Sequence, residues 1–186
     1  GTDADGDTVT YIWEQMDSLT NATAPNATKT SGVNFRSWTP STSPIRVLPV
    51  MTSVLAGSTT TAGSEVTVEA LSSVARKYNF RLTVRDNKAN GGANSYDDMV
   101  VTVSSTAGPF TITSQNTTGI SYLQGSTQTV TWNVASTNSL ASNVEILLST
   151  NGGNNWSSLI ASTPNDGTET ITIPTNVISS NCRIMV

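Results

Sequence analysis

The sequence predicts an all-β chain folded as two β-sandwiches in tandem. Three observations carry that prediction. The stretch Tyr78–Asn87, YNFRLTVRDN, sets Tyr78, Phe80, Leu82 and Val84 at every second position among polar residues, the period of a strand with one dry and one wet face. Only 12% of the 186 residues are charged, while 36% are hydrophobic; Thr, Ser and Asn must then supply solubility, and with Val they favour strands and turns. Apolar alternation recurs at short spacing to the end of the chain, with no long amphipathic helix.

In chain order, Asp3-Ala4-Asp5-Gly6-Asp7 is an acidic turn before the first strand. Thr8–Met16 alternates, and Val9, Tyr11 and Trp13 share a face, so Tyr11 and Trp13 are expected in the core. Asp17–Ser31 reads as a polar loop. Gly32–Val54 holds Pro40, Pro44 and Pro49, which oppose helix and central strand, so an extended crossing segment is expected. Ser58–Gly63 reads as a Thr-rich turn, Val66 and Val68 as a strand, and Leu71–Ala75 as one turn of helix. The central strand Tyr78–Asn87 runs into the Gly/Asn loop Ala89–Asn94. Met99, Val101 and Val103 mark the closing strand, and Ser104–Gly108 is small enough for a linker.

In the second half, strands are expected at Phe110 and Ile112, at Val130, Trp132 and Val134, at Val144, Ile146 and Leu148, over Trp156–Ala161, at Ile171 and Ile173, and over Arg183–Val186. Gln124-Gly125, Asn151-Gly152-Gly153 and Asn165-Asp166-Gly167 punctuate them. The reading is two immunoglobulin-like sandwiches, 1–106 and 107–186, the first expected to lack its opening strand and the second its last. The start inside an acidic loop, with no initiating Met or signal peptide, is read as the mark of a fragment.

Composition narrows the chemistry. There is no His, which excludes a Ser-His-Asp triad and a His-ligated zinc within this segment. Cys182 is the single cysteine, is expected as a small buried residue in the last strand, and cannot form an internal disulfide. The net charge is −4, and without a basic patch interleaved with aromatics no nucleic-acid partner is expected. No apolar run reaches membrane-spanning length. Clustered carboxylates could do acid–base work, but they sit in turn-like loops with no aromatic platform nearby, so the segment is expected not to be an enzyme.

Four motifs remain. Asp3-x-Asp5-Gly6-Asp7 presents oxygen ligands at alternate positions around a glycine bend, as hard cations require. With Asp86 after the central strand, and Asp98 of the Asp97-Asp98 pair, it is a candidate calcium site: Asp3, Asp5, Asp7, Asp86 and Asp98. Ordinary solvated turn aspartates are the simpler alternative. Trp38 and Trp156 are the two candidate binding aromatics, although a Trp in such a loop often serves to pin it. Asn21, Asn26, Asn116 and Asn155 open N-glycosylation triplets. Asp7-Thr8-Val9 and Asp17-Ser18-Leu19 resemble the Asp-Ser/Thr-apolar acceptor for O-glycosylation in Bacteroidetes. Ser149-x-Asn151-x-Gly153-x-Asn155-Trp156 resembles the Asp-box, with Asn at the Asp and Thr positions; that resemblance implies a hairpin turn and only weakly suggests carbohydrate.

DADGDTVTYIWEQ and YNFRLTVRDN followed by GG resemble polycystic-kidney-disease and cadherin-like modules. That resemblance implies calcium ligation by Asp3, Asp5 and Asp86. A longer set of stretches covers nearly the whole chain: GTDADGDTVTYIWEQMD, FRSWTPSTSPIRVLP, SVARKYNFRLTVRDN, DDMVVTV, AGPFTITS, TQTVTWNVA, VEILLSTNGG and TPNDGTETITIP. In this order they resemble the region after the catalytic domain of secreted reprolysin-like zinc metallopeptidases of Bacteroidetes. Those proteins carry an N-terminal His-Glu-x-x-His domain and commonly end in a type IX secretion sorting domain. The resemblance implies a non-catalytic accessory region, secreted or at the cell surface, whose partner is the catalytic domain of the same chain. The alternative is an adhesion or carbohydrate-binding module facing a protein or glycan surface.

Overall fold

The computed structural model describes residues 1–18 and 23–186. Asn21 and Ala22 of the first N-glycosylation triplet and Leu19 of the Asp17-Ser18-Leu19 acceptor lie outside the described residues. The chain is nearly all β and divides into two compact units, Gly1–Ser105 and Thr106–Val186.

The first unit is built on β1 (Thr10–Gln15), β4 (Arg76–Arg85) and β5 (Asn94–Val103), an antiparallel sheet in the order β1-β4-β5. A two-stranded sheet pairs β2 (Thr60–Ala62) with β3 (Thr67–Ala70). The period-two pattern of the central strand has the expected result at Tyr78 and Phe80, which are buried and meet Phe35 edge-on and tilted, with ring centroids 5.3–6.0 Å apart. Trp13, Leu48 and Val103 pack around these rings. Tyr11 is buried opposite Val84. The alternation fades further along β4: Leu82 and Val84 are half-buried, while Thr83, on the opposite face between Ile12 and Tyr96, is buried.

The segment from Gly32 to Pro49 forms no strand, as its prolines foretell, and touches the sheets through two isolated bridges, Tyr11 to Ser41 and Phe35 to Glu69. Two local expectations are corrected. The short helix is α1 (Met51–Leu55), not Leu71–Ala75; at the latter, the Ser73 N–H donates across to the Ala27 carbonyl and the Ser72 hydroxyl donates to the Val74 carbonyl, so local side-chain bonding displaces helix. Pro49 is no obstacle to α1, because proline ahead of a helix removes no intrahelical bond. Ser58–Gly63 is not only a turn: Thr60–Ala62 extends as β2, as suits β-branched threonine.

The second unit has two three-stranded antiparallel sheets. One orders β10 (Thr168–Thr172), β7 (Thr127–Asn133) and β6 (Thr111–Ile112). The other orders β11 (Arg183–Met185), β8 (Asn143–Ser149) and β9 (Ser157–Pro164). Val130 and Trp132 of β7, Ile171 of β10 and Ile146 of β8 form one buried cluster, with Phe110, Val144 and Ile184 among the residues around it. Both sheets therefore bury their apolar faces in one core, the usual layered solution for amphipathic sheets. The Trp132 indole N–H donates to Asn165 Oδ1 at 2.9 Å, and the Asn165 amide donates to the Ala141 carbonyl. Strand β9 begins at Ser157, so Trp156 stands in the turn before it.

Candidate functional site

The β4–β5 connection lies against the acidic turn, but among the described residues the carboxylates that converge are those of the turn alone, without Asp86 or Asp98. Asp3, Asp5 and Asp7 each place a carboxylate oxygen within 4.8 Å of the others. The turn is shaped by Asp3 Oδ1, which accepts the backbone N–H of Asp5 at 2.9 Å and of Asp7 at 3.1 Å. Asn87, in the left-handed region at φ 59°, ties the connection to this turn: its amide donates to the Thr8 carbonyl and to the Thr10 hydroxyl. Asp86 closes the connection on itself by accepting the N–H groups of Lys88 at 3.2 Å and Ala93 at 2.8 Å. Those backbone bonds hold its carboxyl below the usual aspartate range. A Cβ at Gly92 would stand 2.8 Å from Asp86 Oδ1 and 3.1 Å from the Lys88 carbonyl, so a side chain there would push the Asp86 carboxylate aside.

The sequence reading did not foresee the group at the centre of this cluster. Lys88 reaches back so that its ammonium pairs with Asp5 and lies 3.5 Å from Asp7. Its pKa is raised, first by the Asp5 hydrogen bond and then by Asp7. The ammonium lies against two of the three clustered carboxylates. Three carboxylates fit a hard cation in kind but supply only part of the roughly six to eight oxygens that calcium takes. A calcium ion held by Asp3, Asp5 and Asp7 would displace Lys88.

Asp98 lies elsewhere. It sits opposite Arg81 on β5, four residues along from the start of that strand, or about 13 Å at strand rise. Arg81 holds it in a two-pronged pair, Nε at 2.7 Å and the second nitrogen at 2.9 Å. The pair depresses the Asp98 carboxyl and raises Arg81, and the guanidinium also covers the Tyr96 ring at 3.9 Å.

The two candidate aromatics are both tethered. Trp38 is 41% exposed, and its indole N–H donates to Glu69 Oε1 at 3.0 Å. Trp156 is half-buried and donates to the Gly153 carbonyl at 3.1 Å. The Asp-box-like stretch is stitched internally: the Ser149 hydroxyl accepts the Gly153 N–H at 2.8 Å, and Asn151 Oδ1 accepts the Asn155 N–H at 2.9 Å. It forms the hairpin between β8 and β9.

Buried charge is the feature that sequence reasoning missed. Glu69, fully buried on β3, accepts from the Trp38 indole, from Arg46 at 2.7 Å, from the Thr61 hydroxyl at 2.8 Å and from the Val50 N–H at 2.9 Å. Burial alone would raise its pKa; these four donors outweigh burial and hold it below the ordinary value. Arg46 also donates to the Trp13 and Arg36 carbonyls. A second knot fastens the loop before Phe35. Buried Arg76 donates to the carbonyls of Lys29 and Gly32, Lys29 donates to those of Thr23 and Val33, and Asn34 donates to those of Asn26 and Ala70. Nothing in the sequence beside Glu69 marks it as buried, because its Trp38, Arg46 and Val50 donors come from a distant segment. No family model, curated protein or solved structure matches the chain.

Proposed function

We propose that the chain is a non-catalytic accessory region of a secreted metallopeptidase, made of two immunoglobulin-like sandwiches that space, stabilise or target the catalytic domain. The observation that carries this reading is the use of the buried charges in the first unit. Glu69, Arg46, Arg76 and Lys29 are all committed to fastening the long crossing and loop segments onto the sheets. That is the construction of a stiff spacer, in which ordered segments without strand pairing are held by polar struts. The hairpin resembling an Asp-box is likewise closed by bonds within itself. Calcium enters at the Asp3-Asp5-Asp7 turn, in place of the Lys88 ammonium, and stiffens the Arg85 end of the first unit.

The test is deletion of this region from the parent peptidase. Secretion, stability or cleavage of large protein substrates falls, while a small peptide substrate is still cleaved. Unchanged behaviour in all of these rules the accessory role out. The alternative, a surface-adhesion or carbohydrate-binding module, draws on the partly exposed indole of Trp38; a glycan array giving signal that Trp38→Ala abolishes would favour it.

A further inference from the structure

Strand β5 is the open edge of its sheet. It pairs with β4 over ten residues without a register shift, and among the described residues no strand or bridge meets its far edge. The opposite edge differs: β1 is covered at Tyr11, whose N–H and carbonyl bond to Ser41 at 2.7 and 3.0 Å. Exposed edges in stable proteins commonly carry a proline, an outward lysine or a bulge to discourage pairing. The strand Asn94–Val103, NSYDDMVVTV, has no proline or lysine, and its pairing with β4 has no bulge; its only charges, Asp97 and Asp98, lie in its first half, Asp98 neutralised by Arg81. Its apolar residues are open on both faces. Met99 and Val101, on the face shared with Phe80 and Tyr78, are 45% and 37% exposed, and Val100 on the other face is 59% exposed.

We propose that β5 is a self-association edge, pairing antiparallel with β5 of a second copy about a two-fold axis at Val100. The register follows from the residues. Centring on Val100 sets Met99 opposite Val101 on both sides and Val100 opposite its own counterpart, so these three exposed apolar residues meet only one another, while exposed Tyr96 falls opposite Ser104 beyond the strand end. Asp98 then faces Thr102 and Asp97 faces Val103. Centring two or more residues nearer the start of the strand sets acid against acid or runs past the apolar patch. The charges also continue across the join. On the outer face one copy presents Glu14, Arg81 and Asp98 in a row, and Lys77 stands opposite Thr102 in the other. The joined row runs acid, base, acid, Thr, base. Two three-stranded sheets become one of six, and a closed two-fold contact leaves neither copy of β5 exposed. The inference does not depend on the accessory role.

Light scattering on the eluting protein tests it. The wild-type chain gives about twice the 19.5 kDa chain mass at high micromolar concentration. Val100→Lys and Val100→Asp each elute at the single-chain mass with an unchanged circular dichroism spectrum, because each sets like charges opposite each other. A one-to-one mixture of the two variants recovers the double mass. A wild type that stays at 19.5 kDa at its solubility limit overturns the proposal and leaves the edge to a strand of another protein. A double mass unaffected by either substitution overturns it too, as does failure of the mixture to reassociate.

Discussion

Glu69 is a carboxylate without water, and its neighbours take over the solvent's role. Its two oxygens share four donors, one of them the Arg46 guanidinium. A buried ion pair of this kind adds little over an apolar replacement, but loss of one partner is severe, because the other charge is left uncompensated. Glu69→Gln should therefore destabilise the first unit by about 3 kcal/mol, read from denaturant midpoints at neutral pH. The sign of the pH dependence follows from the depressed pKa. The stabilisation is complete above the unfolded-state glutamate value and is lost as pH falls through the lower, folded-state value. The wild-type protein should lose stability on acidification through that window more steeply than Glu69→Gln. Parallel acid profiles would show that other carboxylates dominate. Asp86 and Asp98 shift in the same direction, but both are solvated, and solvent screens such surface terms.

At the level of elements, legibility tracked how much of each element's stability is local. Strand β4 announced itself because Tyr78 and Phe80 fill one face in strict alternation, and the β8–β9 hairpin because Ser149, Asn151 and Gly153 carry their own turn chemistry. Strand β2 did not, since three threonine- and alanine-rich residues owe their extension to pairing with β3. The helix was expected in the wrong place because Ser72 and Ser73 bond to a loop distant in sequence. The acidic turn was visible as a cluster, whereas its Lys88 counterion was not, because its reach back over some eighty residues is a tertiary fact. The hairpin offers a direct check. Ser149 is fully buried, and its hydroxyl serves the N–H groups of Asn151 and Gly153. Ser149→Ala should cost about 1–2 kcal/mol in the second unit, since a buried N–H is left without an acceptor. A loss below a few tenths would mean that the Asn151 side chain closes the turn by itself.

For the whole molecule, two units with separate cores imply two largely independent equilibria. Calorimetry should resolve two transitions. Millimolar calcium should raise the one that Glu69→Gln lowers, by several degrees relative to chelator, and leave the other in place. The lift should be larger in Lys88→Met, where no ammonium competes for Asp5 and Asp7. If calcium leaves both transitions of both proteins unmoved, the acidic turn is satisfied by Lys88, and the first unit is held by its polar knots without metal.

The crossing segment has one more consequence. Between Arg36 and Val50 the chain has no strand ladder; it is held at Trp38, Arg46 and Val50 by the same carboxylate, with backbone bonds at Arg36 and Ser41, the Trp13 indole on the Pro44 carbonyl and Arg46 on the Trp13 carbonyl. Segments secured at so few points open with less free energy than the sheet beneath them. Protonation of Glu69 weakens three of those points at once. In acid this strap would come away as a unit before the sheet melts, freeing the backbone around the already exposed Ile45 to enter a protease cleft while the aromatic core remains folded.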